Sequence, residues 1–335
     1  EELGLRYIGP IDGHDIETMI KIFNSVKSMN TPVLLHVFTD KSKGYGLDNH
    51  DAVKSYSVSN SFSVSEKISY SKVLGEILFL LGDNYKFHCV TAAMEIGTGL
   101  KKFIDKNPKR YIDVGIAEEH AVTYSAGLSA SGIIPVIAIY STFMQRAYDQ
   151  IIHDIALQKL PAVFCMDRAG LVGNDGPTHH GIFDVSFMRS IPNMIVTAPI
   201  DGDEMYDIVY TAIKNNLTLS IRYQKDNTDF NQNRIPEEIC IGSWKILNQG
   251  EDICILTFGS MIENCKQVVD IQKNDKDRNI SLVNCRFIKP LDYKCLDMLI
   301  SSHSHFFIVE EGILSGGFGS SILEYFSLNS INKKV

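Results

Sequence analysis

No apolar run in this 335-residue sequence approaches the roughly 18–20 residues that cross a bilayer. The densest, Ile133-Ile-Pro-Val-Ile-Ala-Ile-Tyr140, has the length of a buried strand. Basic residues are also short: the net charge is −8 and the pI about 5.7, which removes the electrostatic case for nucleic acid or an anionic membrane as partner. Seven cysteines occur without a CxxC pair, and Cys89, Cys165, Cys254 and Cys285 sit in apolar, strand-like runs. An odd number in such settings points to free thiols in a reducing compartment and to no zinc site. A GxGxxG fingerprint is missing, so Gly316-Gly-Phe-Gly319 reads first as a tight strand-to-helix turn rather than a phosphate cradle. The first residues, Glu1-Glu-Leu-Gly4, are neither an initiator methionine nor a signal peptide, and the expectation is a chain that begins inside a longer one.

What remains is ordinary globular material, 44% hydrophobic and 21% charged, long enough for about two domains. Residues 1–60 read as the end of something. Gly9-Pro10 and Asp12-Gly13 are turn punctuation, Ile16–Met29 has helical spacing, and Val33–Phe38 is a buried-type strand. One helix and one strand bury no sheet face, so their partners are expected upstream. The polar stretch Ser55–Ser65 reads as a linker.

From Ser69 onward, strand and helix signals alternate. An amphipathic helix with Val73, Ile77, Leu80 and Leu81 is followed by strand Phe87–Val90, a helix from Ala117, strand Ile133–Tyr140, helix Phe143–Leu160 and strand Ala162–Met166. Strand Met194–Thr197, helix Asp201–Lys214 and strand Leu217–Tyr223 complete this unit, and Asp226–Pro236 reads as a connector. The pattern then repeats with strands at Ile253–Thr257, Ile280–Val283 and Phe306–Val309 and helices at Met261–Gln272 and Asp292–Ser302. Such alternation predicts an α/β fold with two consecutive parallel-sheet domains, preceded by the tail of a third.

Three stretches carry chemistry. In Tyr111-Ile-Asp-Val-Gly-Ile-Ala-Glu-Glu-His-Ala121 a strand-like run meets a helix start, placing Glu118 and Glu119 in the first turn. Two acids there suit the helix dipole and need mean no more than capping. Presented from the small, apolar approach Val114–Ala117, however, a carboxylate would be poorly solvated and able to hold one proton on a ligand. The second stretch, Tyr140–Asp149, follows a strand end, where open α/β sheets bind ligands. Phe143 there offers a stacking surface, and Tyr140 and Arg146 face a ligand, unless Phe143 is core and Arg146 pairs with Asp149. The third, Asp167–Gly181, is a long glycine-containing loop with Arg168, Asp175, His179 and His180. Neighbouring loop histidines point apart and lack a third ligand, so acid–base or oxygen-binding work suits them better than a metal.

Together, Asp113-Val-Gly-Ile-Ala-Glu-Glu-His120, Tyr140-Ser-Thr-Phe-Met-Gln-Arg-Ala-Tyr-Asp-Gln150 and the loop from Asp167 to His179 resemble the 1-deoxy-D-xylulose-5-phosphate synthase family. Gly9-Pro-Ile-Asp-Gly-His-Asp15 and Arg286-Phe-Ile-Lys-Pro-Leu-Asp292 extend the likeness over most of the chain. Transketolases and the β subunits of 2-oxoacid dehydrogenases share the fold and the glutamate, but not this combination. The resemblance implies that residues 1–60 end a diphosphate-binding domain, 61–235 form a pyrimidine-binding domain and 236–335 a truncated C-terminal domain. It implies thiamine diphosphate and Mg²⁺ as cofactors, with the metal ligands outside this chain. It also implies pyruvate and glyceraldehyde 3-phosphate as substrates, joined with loss of carbon dioxide in the first step of non-mevalonate isoprenoid synthesis, which also feeds thiamine biosynthesis. A homodimer, completion by the missing N-terminal segment and a bacterial-cytoplasmic or plastid setting follow from the same likeness.

Carried over residue by residue, Glu118 matches the glutamate that hydrogen-bonds the aminopyrimidine ring, Phe143 the residue stacked on it and Tyr45 a cofactor-contacting tyrosine. Tyr140, Arg146, Arg168, Asp175 and His179 match residues around the acceptor, and His50 matches an active-site histidine through a loosely fitting His50-Asp-Ala-Val53. Glu119 keeps the capping role, and His14 reads as a turn residue. Where the family writes Arg-Tyr-Pro-Arg-Gly, this chain has Arg222-Tyr-Gln-Lys-Asp226. Lys225 thus keeps the charge at a phosphate-binding position and loses the bidentate fork. Two other readings stand beside this one: a 2-oxoacid dehydrogenase β subunit, and a non-catalytic fragment that dimerises or supports another chain.

Overall fold

The computed structural model describes residues 2–40, 43, 67–276 and 278–335. Tyr45, His50 and the linker at Ser55–Ser65 lie outside the described residues. Two compact units are present, Glu1–Val64 and Ser65–Val335.

In the first unit, β1 (Arg6–Asp12), α1 (Ile16–Lys27) and β2 (Val33–Phe38) form one β-α-β turn of chain, with β1 parallel to β2. Strand β1 is absent from the sequence reading because Gly9-Pro10 looks like a turn. The structure instead absorbs the pair as a register shift between Ile8 and Ile11. Asp15 caps α1 by accepting from the Thr18 amide at 3.1 Å and its hydroxyl at 2.6 Å, bonds that lower the Asp15 pKa. Ile16, Ile20 and Phe23 keep their helical spacing yet stay exposed.

Among the described residues, the second unit holds two main sheets and a two-stranded antiparallel pair, Ile68–Ser69 with Asn227–Thr228. Its elements are β3 (Ile68–Ser69), α2 (Tyr70–Leu81), β4 (Phe87–Thr91), α3 (Lys101–Lys106), β5 (Tyr111–Asp113), α4 (Glu118–Ala130) and β6 (Ile134–Tyr140). After these come α5 (Ser141–Met144), α6 (Tyr148–Gln150), β7 (Ala162–Asp167), α7 (Asp184–Ser190), β8 (Ile195–Thr197), α8 (Gly202–Lys214), β9 (Thr218–Arg222) and β10 (Asn227–Thr228). The last stretch supplies β11 (Lys245–Asn248), β12 (Asp252–Thr257), α9 (Met261–Lys276), β13 (Ser281–Asn284), β14 (Phe287–Lys289), α10 (Tyr293–Ser302), β15 (His303–Val309) and α11 (Phe318–Leu328).

The larger sheet has the order β14-β8-β9-β7-β6-β4-β5, and the smaller one β11-β13-β12-β15. Strands β6 and β7 are buried almost throughout, as expected of central parallel strands covered on both faces. Each sheet departs from a purely parallel plan at one edge: β14 runs antiparallel to β8, and β11 antiparallel to β13. Strand β14 comes from the third stretch of the chain yet joins the larger sheet, pairing Phe287 with Thr197, so the two sheets share one strand connection.

The predicted single helix over Phe143–Leu160 is a composite. It starts at Ser141, tightens to a 3-10 turn at Gln145–Ala147, passes through α6 and widens into a π-helix at Ile151–Ala156. The wide ladder continues in Leu157 N–H to Ile152 O at 2.9 Å and Leu160 N–H to Ile155 O at 3.1 Å. Two further 3-10 turns, Gly173–Asp175 and Pro177–His179, give the long loop its shape. Among the described residues, no helix is long and apolar enough to cross a membrane.

Candidate active site

The C-terminal ends of β5, β6 and β7 deliver the three chemistry-bearing stretches to one edge of the larger sheet. After β5, Asp113 Oδ1 accepts from Ala93 N–H at 2.7 Å and Gly115 N–H at 2.8 Å. That pair of hydrogen bonds pins the turn, in which Gly115 takes φ +73°, and delivers Glu118 as the first residue of α4.

The two acids part there. Glu118 is 1% exposed, whereas Glu119 is exposed and α4 has no side-chain cap, which leaves Glu119 the helix dipole alone. Within the apolar approach Ile116 is 81% exposed, whereas Val114 packs against the core. Arg146 Nη1 donates to Glu118 Oε1 at 2.8 Å, and the buried Oε2 has no hydrogen-bond partner. The alternative intrahelical pair is not formed: Asp149 faces His153, 3.0 Å from its Nδ1.

From Glu118 the contacts run on without a break. The Arg146 guanidinium lies over the Phe143 ring at 5.1 Å, and Phe143 stacks on Tyr140 with centroids 5.9 Å apart. The His179 ring meets Phe143 edge-on at 5.2 Å, and its Nδ1 is 3.0 Å from Thr178 Oγ1. Arg168 lies 3.8 Å over Tyr140 and donates to Gly97 O at 2.8 Å and to Asp167 Oδ1 at 3.0 Å. Its Nε is 3.4 Å from Asp175 Oδ2, an ion-pair contact without hydrogen-bond geometry. Lys225 Nζ donates to Asp175 Oδ1 at 2.6 Å. All eight described candidates, Glu118, Tyr140, Phe143, Arg146, Arg168, Asp175, His179 and Lys225, thus fall in one constellation.

Electrostatics grade across it. Burial pushes the Tyr140 phenol up, against the pull of Arg168. Burial also pushes buried Asp167 up to about 6. Asp175 behaves oppositely: its partial burial would raise it, but Lys225, Arg168 and His179 together hold it below the usual carboxylate range. Arg168 holds φ +58°, a strained setting for a side chain this large. One end of the site is a buried carboxylate with a free acceptor oxygen beside an aromatic face. The other is a rim where Arg168 and Lys225 pair with Asp175 beside a histidine, groups suited to an oxygen-bearing ligand.

The paired histidines do point apart. His180 Nδ1 accepts from Val172 N–H at 3.1 Å and braces its own loop, while His179 faces Phe143. His14 Nε2 accepts from Asp40 N–H at 2.7 Å and so ties a turn to the end of β2. At Gly316–Gly319 the helix start is already filled: Glu310 accepts from Phe318 N–H at 2.9 Å and Gly319 N–H at 3.0 Å. The turn reading therefore holds there. Sequence reasoning missed Gly97, Ser141, Asp184 and Glu311, which brace the site. Only Glu311 left a signal, as one of two acids following a strand, the pattern noticed at Glu118.

The chain is similar to known proteins over its whole length. Residues 66–230 match the transketolase pyrimidine-binding domain, 242–335 the transketolase C-terminal domain, and 1–39 the family model for 1-deoxy-D-xylulose-5-phosphate synthase. The 1-deoxy-D-xylulose-5-phosphate synthase of Aquifex aeolicus is 44% identical over 343 residues, covering 100% of this chain and 54% of the relative. That of Dictyoglomus thermophilum is 45% identical over 339 residues, covering 100% and 55%. The chain therefore spans about half the length of the curated relatives it matches. Among solved structures, a split-gene transketolase described as an inactive β4 tetramer superposes with a TM-score of 0.72 at 26% identity, covering 80% of this chain and 87% of that one. A Campylobacter jejuni transketolase, at 16% identity and a TM-score of 0.61 over 96% of this chain and 65% of its own, shares the fold.

Proposed function

Because the chain belongs to the 1-deoxy-D-xylulose-5-phosphate synthase family of transketolase-like transferases, we propose that it supplies the pyrimidine-facing and acceptor-facing parts of such a synthase. The reaction is the joining of pyruvate, with loss of carbon dioxide, to glyceraldehyde 3-phosphate. The observation that carries this reading is Glu118 Oε2, a buried acceptor without a partner, standing at one end of a contact chain that ends in Arg168, Asp175 and Lys225.

The residues present fit thiamine diphosphate. Glu118 Oε2 accepts a ring N–H and holds that proton, while Arg146 fixes Oε1 and so aims the carboxylate. Phe143 supplies the stacking face. When bound, thiamine diphosphate supplies the electron sink that lets a 2-oxo acid lose carbon dioxide. Magnesium accompanies its diphosphate in this reading, and no residue of this chain is assigned to it. Among the described residues, no three His, Cys, Asp or Glu side chains are grouped to hold a metal ion. At the other end, Arg168 and Lys225 bind the acceptor's phosphate. His179 and Asp175 meet its hydroxyl and carbonyl oxygens, and His179 delivers a proton to the oxygen of the attacked carbonyl.

Formation of 1-deoxy-D-xylulose 5-phosphate by the full-length protein tests the reading. Transfer to a lipoyl group, with none to glyceraldehyde 3-phosphate, would instead support a 2-oxoacid dehydrogenase β subunit. The β4 tetramer among its structural neighbours supports a second reading for the chain on its own, as an assembling but inactive unit. Calorimetric titration with thiamine diphosphate and Mg²⁺, with and without the half of the protein that this chain does not span, separates the two. Tight binding by the chain alone would contradict a divided cofactor site. The relatives are bacterial, which supports placing the synthase in a bacterial cytoplasm.

A further inference from the structure

The loop bearing Asp175 and His179 is closed at its neck by two opposed hydrogen bonds. Gly170 N–H donates to Gly181 O, and Gly181 N–H to Gly170 O, each at 2.8 Å. Both sides favour glycine, Gly170 through its positive φ and Gly181 through crowding against the Arg168 backbone. A Cβ on Gly170, which holds φ +75°, would stand 2.2 Å from Glu311 Oε2, and one on Gly181 would stand 2.4 Å from Ser141 Oγ. The neck is wedged between two side chains. Ser141 opens α5, the helix that presents Phe143, whereas Glu311 follows β15 in the C-terminal domain.

Glu311 also bonds the neck. Its Oε1 accepts from Leu171 N–H at 2.9 Å, and its Oε2 from Ser260 Oγ at 2.9 Å. Its backbone carbonyl accepts from Arg222 Nη2 at 3.1 Å. Arg222 Nε in turn donates to Asp184 Oδ2 at 2.8 Å, and the same oxygen accepts from Ser141 Oγ at 3.0 Å. A mostly buried polar chain therefore leaves Glu311, passes through Arg222 and Asp184, and returns to Ser141 on the opposite side of the neck. Leu171 itself is exposed, so burial of its side chain does not hold the first residue past the neck in place. The carboxylate of Glu311 does.

We propose that Glu311 is a positioning residue for the acceptor: it fixes the neck of the 170–181 loop and so keeps Asp175 beside Arg168 and His179 against Phe143. All eight residues of the constellation lie before residue 236, and this assignment gives the C-terminal domain a part in acceptor recognition. It rests on the reading of the loop as acceptor-binding.

The test uses the full-length protein with Glu311→Ala and Glu311→Gln, comparing hydrogen exchange of the loop with steady-state kinetics. Loss of a charge-assisted bond to Leu171 N–H should speed exchange across 171–179 by about tenfold in Glu311→Ala. The KM for glyceraldehyde 3-phosphate should rise by about tenfold, with thiamine diphosphate affinity and thermal midpoint preserved. Glu311→Gln keeps an acceptor oxygen and should recover most of both effects. Should Glu311→Ala fail to fold, Glu311→Asp, which draws the charge back from Leu171, carries the same comparison. Unchanged loop exchange, or faster exchange with an unchanged acceptor KM, would overturn the proposal. So would a parallel loss of cofactor affinity and thermal midpoint, since that marks general packing. If the wild-type protein does not consume glyceraldehyde 3-phosphate, the functional reading fails by itself; loop exchange then still decides whether Glu311 holds the neck.

Discussion

Replacing Glu118 by glutamine separates what the fold needs from what the chemistry needs. The amide has nearly the same shape, and its oxygen can still accept from Arg146 Nη1, which now lies 2.8 Å from Oε1. Exchanging a charge-assisted bond for a neutral one costs about 1 kcal/mol. The 49% exposure of the Arg146 side chain reduces that further through solvent screening. Against it stands the relief of a buried carboxylate whose second oxygen has no partner. These terms nearly cancel. Since 1 kcal/mol moves the midpoint of a unit of this size by about 2–4 °C, the thermal midpoint should shift by no more than about 3 °C.

Chemically the exchange is not neutral. The position now held by Oε2 becomes an NH₂ group, so an acceptor turns into a donor and no carboxylate remains to hold a ligand's proton. Turnover should fall by about 10²–10⁴-fold. Product formation by the full-length protein, a thermal scan and a thiamine diphosphate titration on the same sample together measure both sides. Turnover kept at about a third of wild type would refute the role given to Glu118. A midpoint lowered by about 10 °C would refute the balance of folding terms instead.

Gly97→Ala places a Cβ 1.7 Å from the Tyr140 hydroxyl and must displace the ring on which Arg168 lies. Steady-state kinetics should show the acceptor KM raised by about tenfold, with cofactor affinity kept. For Asp167 the sign is that of a carboxylate raised in the folded state, from 3.8 to about 6. Folding is favoured by its protonation, and this contribution is lost as pH rises through 6, at a cost on the order of 2–4 kcal/mol. Asp167→Asn should therefore abolish that decline between about pH 4 and 6 in pH-resolved unfolding. Asp175 has the opposite sign: its stabilisation is present above 3.8 and lost as pH falls through its lowered folded value. Removing one of its partners with Lys225→Met should move the acid limb of acceptor binding towards neutral pH, while Lys225→Arg should leave it in place. Acceptor KM measured against pH checks both variants.

The parts of this fold that can be read locally are those whose signal is local. Ile134–Tyr140 and Ala162–Asp167 are near-continuous apolar runs because both faces of a central parallel strand are covered. The site residues stand out because strand ends, glycines and reactive side chains coincide at Gly115, Tyr140 and Asp167. Arg6–Asp12 escapes because a register shift and a turn leave the same Gly-Pro mark. The π-helix at Ile151–Ala156 escapes because its spacing differs from that of an α-helix by one residue per turn, and Ile151 and Ile155 still look four apart. Strand β14 escapes because its partner, β8, lies in the preceding domain, far back in the chain.

Partners chosen by tertiary approach have no such local mark. Arg146 has an acid three residues away in Asp149 and another 28 positions back in Glu118, and spacing favours the first. The structure selects the second, since Glu118 offers a buried oxygen that needs a donor. Desolvation decides the choice: Asp149 is solvated without Arg146, whereas Glu118 would be left buried and bare. The same rule explains Glu311, whose bond to Leu171 spans 140 positions. A loop that must place two side chains accurately while remaining open to a ligand cannot be held by its own burial. Its anchor has to come from outside, in this fold from Glu311 of the C-terminal domain.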